Sequence, residues 1–71
     1  MKLPRDLSGR DVAKALCRLG FVSDGQRGSH MFFRKEGLRV TVPNHRAILP
    51  KTLQSLLRQA SVSLEEFLAK I

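Results

Sequence analysis

The residues of this chain best suited to chemistry are Gly28, Ser29 and His30, which directly precede an apolar run. The imidazole of histidine accepts and donates protons near neutral pH, as general acid–base catalysis requires. A glycine and a small hydroxyl residue leave the ring approachable and supply a hydrogen-bonding neighbour. The tripeptide therefore predicts a histidine that can act as a general base. The alternative is a hydrogen-bonded structural histidine, which is the commoner role of an isolated histidine.

The charge of the chain indicates which substrate such a histidine would meet. Thirteen Lys and Arg residues against six Asp and Glu residues give a formal net charge of +7. Arginine supplies most of these cations: Arg5, Arg10, Arg18, Arg27, Arg34, Arg39, Arg46 and Arg58. Because guanidinium groups match the geometry of phosphate, we expect a nucleic acid as the first partner. An acidic protein is the alternative partner, and charge alone does not choose between them.

Strand alternation groups the residues around the histidine, because side chains at every second position of a strand share a face. One face carries His30, Phe32 and Arg34, and the other carries Ser29, Met31 and Phe33. On an open face, the histidine could deprotonate a ribose 2′-hydroxyl while Arg34 stabilises negative charge and Phe32 stacks on a base. Both faces carry large apolar residues, so the alternation does not say which one is covered.

Further cations and a second histidine extend this prediction. We interpret Arg27, Arg39 and Arg46 as phosphate contacts, with an ordinary solvated surface as the alternative. His45 follows the third predicted strand, and hairpin geometry brings the end of that strand near the start of the strand that carries His30. The two histidines could then divide acid and base roles, although a surface-loop histidine is the commoner case.

Composition argues against several other classes of protein. Cys17 is the only cysteine, so no intrachain disulfide can form, and two separated histidines do not predict a metal site or another cofactor. Residues 1–6 carry charges and a proline where a signal peptide needs an apolar stretch. No apolar run approaches the ~20 residues that span a bilayer. We expect a single cytoplasmic domain over residues 1–71 with no membrane contact.

Capping and periodicity place the elements that position these residues. Ser8 and Asp11 form a capping pair for a helix over 9–19. We predict strands over 21–23, 29–34 and 38–42, joined by a turn-like connection over 24–28 and a compact turn over 35–37. Strands two and three should pair as an antiparallel hairpin.

The rest of the chain reads as helix. Pro50 suits the first turn of a second helix, and Ser63 with Glu66 forms a capping box for a short third helix. The pattern predicts an α+β fold: a helix, a three-stranded antiparallel sheet, a helix and a short C-terminal helix. Helices that border a sheet in this way can pack on one face and leave the other face exposed to water.

Several short segments, taken in order, carry a family resemblance. They are Ser8-Gly9, Leu19-Gly20-Phe21, Gly28-Ser29-His30, Arg39-Val40-Thr41-Val42-Pro43, Leu53-Gln54-Ser55-Leu56-Leu57-Arg58-Gln59-Ala60 and Ser63-Leu64-Glu65-Glu66-Phe67. In this order they resemble the HicA family of mRNA-interferase toxins over nearly the whole chain. The resemblance implies a fold like the double-stranded-RNA-binding domain. It also implies a ribosome-independent, metal-independent endoribonuclease of a type II toxin–antitoxin system, neutralised by a cognate HicB antitoxin.

The resemblance makes His30 the expected catalytic residue, because the family's catalytic histidine corresponds to it. The expected RNA-binding residues are Arg27, Gly28, Ser29, Phe32, Arg34, Arg39 and Arg46. The expected partners are mRNA and a HicB-like antitoxin. Two alternatives remain open: a non-catalytic RNA-binding module of the same fold, and a domain whose basic surface binds an acidic protein.

Overall fold

The computed structural model of the protein describes residues 7–71. Its elements are α1 (Gly9–Arg18), β1 (Val22–Arg27), β2 (His30–Lys35), β3 (Leu38–Pro43), α2 (Pro50–Ala60) and α3 (Leu64–Leu68). This confirms the predicted α+β order of helix, three-stranded antiparallel sheet, helix and short helix. The charged segment that argued against a signal peptide lies outside the described residues. Within residues 7–71, no helix has the length and apolar character needed to cross a membrane.

Both predicted capping pairs are formed. At the start of α1, Asp11 N donates to Ser8 Oγ at 3.1 Å and Ser8 N donates to Asp11 Oδ2 at 3.0 Å. The Ser8 N–H that donates to the carboxylate lowers the pKa of Asp11 most, and the Ser8 side chain and Lys14 add to the effect. Ser63 and Glu66 form the same reciprocal pair at the start of α3. Local sequence therefore determines where these two helices begin.

The sheet has the order β1-β2-β3, with both neighbouring pairs antiparallel. The second hairpin turns through Glu36 and Gly37, which have φ angles of 47° and 86°. Two positive φ values are what a two-residue type I′ turn requires, and its twist suits the flanking strands. The compact turn predicted between strands two and three is thus confirmed.

The first strand was predicted too short. The turn-like connection expected over 24–28 belongs mostly to β1, which continues through Arg27. A shift in pairing register between Ser23 and Gln26 accommodates the extra length, and Gly25 there has a φ of +103°. Aspartate followed by glycine favours a turn in sequence, but here the pair forms a bulge inside a strand. Only Gly28 and Ser29 remain as the turn.

The helices cover one face of the sheet, and their apolar residues form a single core with it. The core residues are Val12, Ala15, Leu16, Phe21, Phe33, Val40, Val42, Ile48, Leu53, Leu56, Leu57, Ala60 and Phe67. Phe33 is 5% exposed, so its side of β2 faces the helices and the opposite side is open. The single cysteine, Cys17, is exposed on α1. A small apolar residue within a helix would be expected to pack in the core, and here it does not.

Helix α1 approaches the end of β3 very closely at Gly9. The Gly9 N–H donates to the carbonyl of His45 at 2.8 Å. A Cβ on this residue would collide with the carbonyl oxygen of Pro43 and lie 2.9 Å from the Cα of Asn44. All of these neighbours are backbone, so they cannot move aside as a flexible side chain would. There is no room for a side chain at position 9, so this residue must be glycine.

A Gly9→Ala substitution should destabilise the protein and disturb the segment beside the sheet. Overpacking of this kind costs about 1–3 kcal/mol, which exceeds the ~1 kcal/mol that alanine gains over glycine in a helix. Urea unfolding would measure the loss. Gly28→Ala is a useful comparison, because a Cβ at Gly28 meets no atom within 4 Å and only its positive φ opposes it. A Gly9→Ala protein as stable as the original would contradict the close approach.

Candidate active site

The turn between β1 and β2 positions the Gly28-Ser29-His30 tripeptide at one end of the sheet. Gly28 has a φ of +58°, a conformation that glycine adopts without strain. The Gln26 side-chain amide donates to the Gly28 carbonyl at 3.0 Å, which stabilises the turn from within. The Ser29 carbonyl accepts from Asn44 N at 2.6 Å. Hydrogen bonds therefore hold both carbonyl groups of the turn, and they fix the position of His30, which follows it.

His30 is the first residue of β2 and is exposed. Its register partners are Arg27 on β1 and Pro43 on β3. Within residues 7–71, its ring forms no hydrogen bond. A hydrogen-bonded structural histidine would need a partner that this part of the chain does not supply. Among the described residues, the imidazole is therefore exposed and has no hydrogen-bond partner.

Phe32 and Arg34 lie on the same open face of β2 as His30. Phe33, between them, is buried on the opposite face, which decides the question that alternation left open. Arg34 is exposed and Phe32 is half-buried. Residues two apart in a strand are separated by about 6.6 Å, so the three side chains form a row roughly 13 Å long. An imidazole, an aromatic ring and a guanidinium group thus lie in a row along one face of the sheet.

Arginines face each other at the far end of this row. Arg34 is the register partner of Arg39 on β3, and both are exposed. Like charges directly opposite each other destabilise a sheet unless an anion compensates them. Asp24 supplies part of that compensation, because its Oδ1 lies 3.5 Å from Arg34 Nε. The arrangement is suited to a polyanion that passes along the open face.

Arg46 and His45 follow the end of β3. Both are exposed in the segment between β3 and α2, whose backbone is held against the start of α1 through the Gly9–His45 hydrogen bond. The Asn44–Ser29 hydrogen bond brings the beginning of this segment next to the turn. No hydrogen bond joins the two histidines within the described chain. The remaining predicted RNA-binding residues lie on the first hairpin and the open face.

Sequence reasoning missed two residues of this surface. Asp24 was taken for part of a turn, since nothing in an Asp-Gly pair reveals that a bulge keeps it in the sheet. The second is Asn44, whose backbone N–H donates to the Ser29 carbonyl and so holds the turn in place; no sequence pattern pointed to this contact. Thr41 lies on the same surface, since it is the register partner of Phe32.

The fold and the site define a class of protein. It is a small α+β domain with helices on one face of an open sheet and an exposed histidine within a basic surface on the other. Residues 9–62 match the family model described as the HicA toxin of bacterial toxin–antitoxin systems. The chain belongs to this family and is therefore the toxin of a toxin–antitoxin pair, with an antitoxin as its partner. No curated protein matches the chain.

Proposed function

We propose that this toxin is a metal-independent endoribonuclease that cleaves mRNA, with His30 as its general acid–base residue. The observation that carries the proposal is the exposed His30 ring, free of hydrogen bonds within residues 7–71, on the open basic face of the sheet. The net charge of +7 favours a polyanionic substrate. Phe32, Arg34 and Arg39 on the same face can hold a base and phosphates on one side of the histidine.

The chemistry requires one proton transfer at the attacking oxygen and one at the leaving oxygen. Neutral His30 accepts the proton of a ribose 2′-hydroxyl, and the 2′-oxygen attacks the adjacent phosphorus. The bond from phosphorus to the 5′-oxygen breaks, and that oxygen takes a proton from imidazolium or water. Arg27, which is the register partner of His30, stabilises the charge on the phosphoryl oxygens in this proposal. The products are a 2′,3′-cyclic phosphate and a 5′-hydroxyl.

Product analysis tests this proposal. Purified toxin should cut a single-stranded RNA in the presence of a metal chelator and leave a 2′,3′-cyclic phosphate. The matched control is the same sequence with every 2′-hydroxyl methylated, which removes the nucleophile and should abolish cleavage. A 5′-phosphate product, or cleavage of the methylated strand, would refute the mechanism. Binding of RNA without any cleavage would instead establish the non-catalytic RNA-binding module.

A HicB-like antitoxin is expected to cover His30, because occluding the essential group is the simplest way to silence the enzyme. Diethyl pyrocarbonate, which acylates accessible imidazole, would measure this. In the free toxin both His30 and His45 should react, since both are exposed. In the complex the rate at His30 should fall strongly. Equal reactivity of His30 in the free and bound toxin would contradict the expectation.

A further inference from the structure

The open face of the sheet holds a depression of about 340 Å³, and the proposed RNA-binding residues Phe32 and Arg39 are part of it. It is lined by Asp24, Phe32, Phe33, Arg39, Val40 and Thr41. Phe33 and Val40 are buried on the helix side, so they contribute main chain to its floor. All three strands therefore meet in this depression, which is large enough for a nucleobase.

Phe32 provides the apolar surface of the depression. It lies on the central strand and pairs with Thr41, and it remains partly exposed although the core is on the other side of the sheet. Half-exposed aromatic rings on an open sheet are typical platforms for stacking unpaired bases. Stacking alone tolerates every base, so any selectivity must come from the polar groups beside the ring.

Among residues 7–71, Asp24 is the only acidic residue that lines the depression. The β-bulge between Ser23 and Gln26 places it there, at the edge of the surface that would bind RNA. Its side chain is 42% exposed, and its one ion-pair contact within residues 7–71, to Arg34, is 3.5 Å long. Exposed ion pairs of this length contribute little to stability. The carboxylate is therefore available to accept hydrogen bonds from a ligand.

A carboxylate beside a nucleic-acid site needs an explanation, because it repels phosphate. Ionised aspartate accepts hydrogen bonds and cannot donate them, so it selects a base edge that carries N–H donors. Guanine presents two adjacent donors, N1–H and N2–H, which one carboxylate can accept together. Uracil presents a single N3–H donor between two carbonyl oxygens, which the carboxylate repels.

Arg39 completes the pattern from the other side of the depression. Asp24 lies on β1 and Arg39 lies on β3, so the two line the depression from opposite sides of the central strand, across a span of about 10 Å. The register partner of Arg39 is Arg34, and Thr41 is the residue directly opposite Phe32. Arginine is the residue that most often recognises the O6 and N7 acceptors of guanine. We propose that this depression is a guanine-binding subsite, with Phe32 stacking on the base, Asp24 accepting from its donor edge and Arg39 donating to its acceptors.

The position of the subsite relates it to the proposed cleavage. Phe32 lies two residues from His30 on the same face, about 6.6 Å along the strand. That distance is comparable to the spacing of successive phosphates in an extended strand, so the bound guanine would be a near neighbour of the scissile phosphate. This relation rests on the proposed endoribonuclease function, whereas recognition of the base does not.

Binding to uncleavable RNA tests the subsite separately from cleavage. The probes are short oligouridines, methylated at every 2′-oxygen, that carry guanine, adenine, cytosine or uracil at the central position. The intact toxin should bind the guanine probe about tenfold more tightly than oligouridine in fluorescence anisotropy. Asp24→Asn keeps the size of the side chain but introduces N–H donors, and should reduce that preference to about twofold or less.

Glu36→Gln is the matched control, since it removes the same charge from an exposed residue at the tip of the other hairpin. It should tighten binding to all probes alike and keep the guanine preference. Equal affinities in the unmodified toxin, a preference that survives Asp24→Asn, or no binding of any probe would overturn the subsite. Cleavage of natural RNA without base preference would support the proposed nuclease and contradict the guanine-binding subsite. A guanine preference lost in Asp24→Asn, without cleavage, would support the subsite and refute the nuclease.

Discussion

Replacing His30 by glutamine is expected to lower RNA cleavage by about 10²–10⁴-fold, the contribution usual for a general acid–base residue. RNA binding should stay within about twofold, because the exposed ring holds no other residue of the described chain in place. Glutamine retains hydrogen-bonding capacity but does not exchange protons near neutral pH. Single-turnover cleavage and equilibrium binding, measured on the same RNA, would separate the two effects.

His45→Gln is the control for this prediction. His45 is also exposed, but it lies in the segment between β3 and α2 and its backbone carbonyl accepts from Gly9 N. That bond does not depend on the side chain, so the substitution should leave the fold unchanged. We expect cleavage by His45→Gln to remain within a few-fold of the original. Full activity of His30→Gln, or an equal loss in His45→Gln, would contradict the assignment of His30 as the single essential histidine.

Replacing Phe67 by alanine should bring the protein close to unfolding. Phe67 is 0% exposed and is the largest fully buried side chain among residues 7–71. Truncation of a buried phenylalanine costs about 3–5 kcal/mol. A domain of this length has a total stability of only about 4–10 kcal/mol, so the loss would consume much of it. Urea unfolding followed by circular dichroism would report the shift.

The prediction has a matched control on the same segment. Ile71 is 52% exposed, and Ile71→Ala should change the free energy of unfolding by about 0.5 kcal/mol or less. Phe67 lies beyond the residues that match the family model, which end at residue 62. A Phe67→Ala protein as stable as Ile71→Ala would mean that α3 is dispensable for the core. The expected result is that α3 is a structural part of this domain.

The elements predicted best from sequence were those that local chemistry determines. The capping pairs of Ser8 with Asp11 and Ser63 with Glu66 act within one turn of helix, and both are present. The Glu36-Gly37 turn likewise depends on the residues that form it and their neighbours. Such interactions leave a signal at short sequence spacing, so no knowledge of the rest of the fold is needed.

The first strand was predicted too short because its extended conformation depends on pairing with another strand and not on its own residues. All six residues of β1 are exposed, so burial imposes no apolar alternation on it. Its extended backbone is supported by pairing with β2 on either side of the bulge. This is also why Asp24 was absent from the predicted site, since only the ladder places its carboxylate beside Phe32 and Arg34.

For the candidate site, the sequence by itself determined that His30, Phe32 and Arg34 share a face, because alternation is a property of every strand. It also determined that the surface would be basic. Only the tertiary structure decided which face was open. Phe32 and Phe33 are chemically identical, and alternation distinguishes two faces without saying which one the helices cover. The apolar residues of α1 and α2 form one core with Phe33 on the covered face of the sheet. His30 is therefore left exposed on the opposite face, directly after the Gly28-Ser29 turn.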